Sequence, residues 1–137
     1  MTRSEALHKI RVVWKSTPEE GQVAGSDVAR EVYDKAVVVD GLNVSNWESP
    51  AVFDSLGAGG VTAINATIAI WEGFRETLDN IARWPRRFAE HSDTLVQATS
   101  AAEIVQAKKD GRTAVIFGWQ NASPIETDLD RLLLFYE

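Results

Sequence analysis

The chain of 137 residues contains no cysteine. That excludes a disulfide framework, a thiolate nucleophile and a thiolate metal site. Histidine is scarce: His8 and His91 are the only two. Neither has a partner at metal-ligand spacing. His8 falls in an irregular leading segment, and His91 ends a helical pattern where it can interact with the helix dipole, so structural or solvent roles are expected for both. The serines have no nucleophile-elbow context, and without a nearby histidine or lysine a hydrolytic triad has no support. Basic excess is also lacking. Fourteen Lys and Arg stand against twenty Asp and Glu, for a net charge of −6. No nucleic-acid or anionic-membrane surface is expected, because both need a basic face. Long apolar runs are missing too. Val61 to Trp71, the nearest approach, is interrupted by Thr62, Asn65 and Thr67 and is too short to span a bilayer. Met1 to Glu5 leads into polar sequence with no apolar h-region, so a signal peptide is not expected and a cytoplasmic home is.

What is present is an ordinary globular balance, with 45% hydrophobic and 25% charged residues, long enough for one domain with a real core. Residues 1–35 read as an amino-terminal appendage. Leu7 to Trp14 has no clean period, Ser16 to Gly21 is a loop, and Asp27 to Tyr33 forms a short helix capped by Ser26 or Asp27. From Ala36 the pattern is regular. Val37 to Asp40 is a short buried strand and Gly41 to Glu48 a loop. Ser49 and Pro50 open a helix that stops near Gly57, and Gly59-Gly60 breaks the chain. Val61 to Ile70 is a second strand. A helical pattern runs from Trp71 or Glu72 to about His91, with Phe74, Leu78, Ile81 and Phe88 inward and Arg75, Glu76, Asp79, Arg86 and Arg87 facing water. Pro85 should kink or divide it. Thr94 to Thr99 adds a short strand, and Ser100 to Glu103 is a capping box for a helix ending at Asp110-Gly111.

The richest stretch is Thr113 to Glu126. Thr113 to Phe117 suits a strand covered on both faces. Trp119, Gln120 and Asn121 fall where it should end. Ser123, Pro124 and Glu126 then form a second capping box, and the helix they open carries Leu129, Leu132, Leu133 and Phe135 on its inner side. In α/β folds ligands bind at the carboxyl ends of the strands, so this polar tip is the place to look for function. Repeated strand–helix units with buried strands imply a parallel sheet covered on both faces. Three or four strands would leave sheet edges open. The expected fold class is therefore α/β, the amino-terminal part of a (β/α)8 barrel, with residues 36–137 supplying the first three or so units. The rival reading is a complete small α/β domain.

Several segments together resemble the membrane dipeptidase (renal dipeptidase) family, which are (β/α)8 barrels related to the amidohydrolases. The resemblance covers roughly Ala36 to Glu137. It rests on Val38 to Val44, Gly59 to Asn65, Ser100 to Ile104 with Lys109 to Gly111, and Ala114 to Asn121, whose order and spacing suit the first three barrel strands. The resemblance implies hydrolysis of dipeptides with two zinc ions. The family draws two ligands from a His-x-Asp after the first strand, where this chain has Leu42 and Val44. Its metal-bridging glutamate follows the third strand, where this chain has Gln120. Leucine and valine have no lone pair for a cation, and a neutral glutamine cannot bridge two zinc ions as a carboxylate can. At least one metal site should be lost, and with it the metal that lowers the pKa of a bound water to about 7. Zinc, the family cofactor, is accordingly expected to be absent or incomplete here.

The best candidates for contact with a dipeptide-like ligand are Asn43, Gln120 and Asn121, with Asn65 beside them, because amides can hydrogen-bond a peptide group at the barrel mouth. Equally, such residues can satisfy their own loops. Asp40 is expected to cap the turn after it rather than act as ligand or base. Trp47, Trp71 and Trp119 follow strand ends and either wall a pocket or pack over the rim. Arg83, Arg86 and Arg87 read as one solvated basic face balanced by Glu90 and Asp93. Dipeptidase-like hydrolysis is the leading functional expectation for the parent activity, with this chain inactive by itself. A non-catalytic small-amide binding protein is the alternative, and a chain that pairs with itself or another chain to cover its edges is a third reading.

Overall fold

A computed structural model describes residues 25–136. The patterns read over Leu7–Trp14 and Ser16–Gly21, and His8, lie outside the described residues. Among the described residues the sheet has four parallel strands: β1 (Val39–Asn43), β2 (Ala63–Ala69), β3 (Leu95–Gln97) and β4 (Thr113–Trp119), in the spatial order β1-β2-β4-β3. Helices α1 (Gly25–Lys35), α2 (Pro50–Ala58), α3 (Phe74–Ala82), α4 (Trp84–Glu90), α5 (Ala101–Lys109) and α6 (Arg131–Tyr136) lie between and beside them. The architecture is α/β, and it is that of part of a (β/α) barrel. β1, β2 and β4 are neighbours in chain order, as successive barrel strands are. β3 is a three-residue addition that pairs only with the first half of β4, Leu95 opposite Thr113 and Gln97 opposite Val115.

The central strand explains the core. Ile64, Ala66 and Ile68 alternate onto one face of β2, as period two demands. There they meet Val115 of β4, Phe53 and Leu56 of α2, Trp84 of α4 and Leu95 of β3. Trp84 is 1% exposed and touches the rings of Trp47, Phe88 and Phe117. Burying a side chain of that size dominates local energetics. Ala63 and Ala114 are register partners on the opposite face and pack with Ala98, Ala107 and Ile104. Small residues there let α5 approach the sheet closely.

Pro85 divides the long helical pattern as expected: Arg83 ends α3 and precedes α4. The capping box at Ser100 is present, its hydroxyl accepting from the Glu103 N–H and the Glu103 carboxylate accepting from the Ser100 N–H. Gly60 and Gly111 take positive φ at the two breaks, 68° and 71°, where a side chain would be strained.

Several expectations are corrected. The first strand is Val39–Asn43, not 37–40, and it is mostly exposed, with Val39 at 50%. Among the described residues it has a neighbouring strand on one side only, so strand patterning overstated its burial. The third helix starts at Phe74 because the Glu72 carboxylate turns back to accept the Ile70 and Trp71 N–H groups. Trp84 takes the core place given to Leu78, which is 41% exposed. Arg87 is buried rather than solvated. β4 continues through Gly118 and Trp119, and only Thr113, Ala114 and Val115 are fully buried. The second capping box is not formed. Ser123–Ile125 is a single 3-10 turn, closed by Glu126 at φ 50°. The Glu126 carboxylate goes instead to the Phe74 N–H, across the chain, and to Arg131. The last helix begins only at Arg131, and Leu129, Leu132 and Leu133 are exposed, while Phe135 packs on Phe74 and Trp119.

Candidate functional site

Parallel strands put the carboxyl ends of β1, β2 and β4 at one edge of the sheet, and most polar candidates lie near that edge. β2 sends Asn65 and Thr67 to the face that also carries Ala63. Asn65 is half-buried and lies across Gly118 of β4: a Cβ built at Gly118 would stand 1.8 Å from the Asn65 amide oxygen and 2.9 Å from its nitrogen. The glycine leaves the room that the amide fills. No hydrogen bond joins the Asn65 side chain to another described residue. Thr67, the register partner of Gly118, is 7% exposed, and its hydroxyl has no hydrogen-bond partner among the described residues. A buried polar atom without a partner is costly, so this pair is unlike the satisfied polar groups around it.

Those groups are spoken for. At the end of β1 the Asn43 amide donates to Asp40 at 2.8 Å, its carbonyl accepts from the Ser45 hydroxyl at 2.7 Å, and the other Asp40 oxygen accepts the Leu42 N–H at 3.1 Å. Asp40 thus caps its own turn, as expected. Beyond β4, the Asn121 amide donates to the Ile70 carbonyl and accepts from the Ser123 N–H at 2.7 Å, stitching the two loops together. Gln120 gives its backbone N–H to Ala69 at 3.0 Å and leaves its side chain exposed. Asn43 and Asn121 therefore shape the edge of the sheet, and Gln120, Asn65 and Thr67 are the groups left with capacity for a ligand. Thr67 was missed in sequence because a threonine in a β-branched run reads as strand former.

The donor set does not fit a binuclear zinc centre. Leu42 and Val44, at the positions that the resemblance assigns to a histidine and an aspartate, are 59% and 56% exposed and offer no lone pair. Among the described residues no three His, Cys, Asp or Glu side chains come together.

A cleft of about 240 Å³, bordered in part by Thr67, lies between the β1–α2 loop, the end of β2 and helices α3 and α4. Trp47, Glu48, Ile68, Asn80, Arg83 and Arg87 line it, and Asn43, Gln120 and Asn121 do not. Arg87 organises it. Its guanidinium donates to the Trp47 carbonyl at 3.0 Å and to Glu48 at 2.5 Å, and lies 5.2 Å from the centre of the Trp84 ring. Trp47 in turn donates its indole N–H to the Thr67 carbonyl at 3.3 Å. Of the three candidate tryptophans only Trp47 walls this cleft; Trp71 is 83% exposed, and Trp119 packs edge-on against Phe135. His91 ends α4 and packs its ring 4.6 Å from that of Phe53.

Two carboxylates in the loops beyond β2 and β4 are held below their ordinary range. Glu72 is lowered first by the Ile70 N–H, and Glu126 first by its hydrogen bond from Arg131 and then by the Phe74 N–H. Both brace loops and neither is poised to take a proton near neutrality.

The fold is similar to the crystal structure of an amidohydrolase from Pseudomonas aeruginosa, at 33% identity and a TM-score of 0.74 over 78% of this chain. The likeness covers 33% of that protein, so this chain spans about one third of its length. The chain has an amidohydrolase-like α/β fold. It matches no protein-family pattern and no curated protein. Among the described residues no helix is long and apolar enough to cross a membrane.

Proposed function

We propose that this chain forms one wall of a binding site for a dipeptide or similar small amide, in a protein of amidohydrolase type related to the membrane dipeptidases. The observation that carries this reading is the Asn65–Gly118 arrangement. A glycine on β4 makes space for a neutral amide from the central strand, and the Thr67 hydroxyl, without a hydrogen-bond partner among the described residues, lies two residues further along the same face. An amide offers both a donor and an acceptor, which match the two ends of a peptide group. Gln120 and the edge set by Asn43 and Asn121 complete the wall. Binding without hydrolysis is favoured for this chain by Leu42 and Val44, which offer no lone pair, and by Gln120, which cannot bridge two zinc ions.

Titration of the chain with glycyl-leucine in a calorimeter, with and without zinc, tests the reading, alongside an assay for free amino acids. Saturable binding that is lost in Asn65→Ala and needs no zinc is expected, with no product formed. Zinc-dependent turnover by this chain would defeat the binding-only form, and absence of any dipeptide binding would defeat both forms.

A further inference from the structure

We infer that the cleft between the β1–α2 loop and helices α3 and α4 is a second ligand site, for a small carboxylate with an apolar body. Thr67 of the proposed amide face also borders it, but the site is built on Arg83 and Trp47 and does not depend on the reading proposed for that face.

The charges around the cleft are unequally satisfied. Arg87, whose side chain is 8% exposed, has its charge met by Glu48 at 2.5 Å and by the Trp47 carbonyl. Glu72 is turned onto the Ile70 and Trp71 N–H groups. Asn80 spends its amide on the Ile68 carbonyl at 2.9 Å and its oxygen on Arg83 at 3.2 Å. Arg83 is the exception. Its only carboxylate neighbour among the described residues is Glu48 at 4.0 Å, already taken by Arg87, and its side chain stays 53% exposed. One guanidinium at the mouth therefore keeps a free donor edge, in the fork geometry that suits a carboxylate.

The wall behind it is apolar, made by Trp47, Ile68 and Ile70. The volume of about 240 Å³ is below the range of drug-sized pockets, which begins at roughly 300 Å³, so the ligand is a small one. A guanidinium at the rim and an indole wall behind it select a molecule with one carboxylate and a short branched or aromatic body. The Trp47 and Arg87 contacts fix the cleft in advance, so little ordering is needed on binding.

The probe is 4-methylpentanoate against its uncharged amide, 4-methylpentanamide, titrated calorimetrically into the 137-residue chain. The acid is expected to bind saturably and at least tenfold more tightly than the amide. Arg83→Gln should weaken the acid at least tenfold and leave the amide unchanged, whereas Arg75→Gln, an exposed arginine outside the cleft, should alter neither. Equal affinity for acid and amide, no saturable binding of the acid, or indifference to Arg83→Gln would each overturn the proposal. The acid–amide comparison on the unaltered protein stands even where a variant fails to fold.

Discussion

The side-chain amide of Asn65 occupies the space above Gly118 that any other residue would fill with its Cβ. The two belong to neighbouring parallel strands, β2 and β4, whose register places Asn65 opposite Ile116 and Thr67 opposite Gly118. Glycine in a strand interior weakens the strand, and it commonly marks a close approach by another group. Here that group is a polar side chain at the proposed amide site.

Gly118→Ala is therefore expected to push the Asn65 amide aside. Overpacking of this kind costs about 1–3 kcal/mol, which urea denaturation would read. Binding of glycyl-leucine should fall at the same time. Asn65→Ala combined with Gly118→Ala should recover most of the stability and none of the binding, because the clash is gone and so is the amide. Additive losses in the double variant would show that the two residues do not compete for one space.

Arg87→Ala should be among the most damaging changes at a charged residue. It removes hydrogen bonds to the Trp47 carbonyl and Glu48 and a cation stacked on Trp84. Charge-assisted hydrogen bonds contribute about 1.5–3 kcal/mol each where they are shielded, and the arginine stem adds packing. Glu48 is 62% exposed, so Glu48→Gln should cost about 1 kcal/mol or less. Thermal melts of the two variants, with a larger drop for Arg87→Ala, would check the asymmetry. Equal drops would show that the ion pair, not the Trp47 clamp, matters.

Legibility followed local chemistry. Ser100 with Glu103, Pro50, Pro85 and the glycines at 59, 60 and 111 act within a few residues of themselves, and the boundaries they mark were readable. The β-branched run from Val61 to Ile70 marked a strand, and the structure places it at the centre of the sheet, as Ala63–Ala69. Burial was less readable where it depended on distant partners. Val39 has strand chemistry but an edge position, and Arg87 has surface chemistry but a partner 39 residues away in Glu48. Glu126 had the spacing of a cap and was drawn off by Phe74 and Arg131. The amides at the strand ends were visible as a group. Which of them remain free was not, since Asn43 and Asn121 differ from Asn65 only in the loop atoms within reach.

The two capping motifs offer an internal control. Ser100 accepts from the Glu103 N–H and precedes a nine-residue helix, whereas Ser123 sits inside a single 3-10 turn with no cap bond. Ser100→Ala should cost about 1 kcal/mol, the usual value for a lost N-cap. Ser123→Ala should cost less than about 0.5 kcal/mol, as for an ordinary surface change. Denaturation midpoints for both variants would read the contrast, and a larger loss at Ser123 would point to a helix there after all.

Acid should loosen the loops beyond β2 and β4 before it disturbs the core. Glu72 and Glu126 both titrate below the ordinary glutamate value in the folded chain, the first chiefly through the Ile70 N–H and the second chiefly through Arg131. A carboxylate whose folded pKa is depressed binds its proton more readily in the unfolded chain. Its contribution is complete above the unfolded pKa of about 4.3 and drains away as pH falls through the lower folded value. The urea midpoint should thus be flat for these groups between pH 7 and 5 and decline below about pH 4.5. Glu72→Gln and Glu126→Gln should each start lower at pH 7 and decline less steeply, because a neutral amide has no proton left to take up. A Glu72→Gln variant that lost as much stability as the parent between pH 5 and 3 would remove Glu72 from the account. The Asp110 and Glu103 carboxylates, held down by Arg112 and by the Thr99 N–H respectively, would then remain to explain the slope.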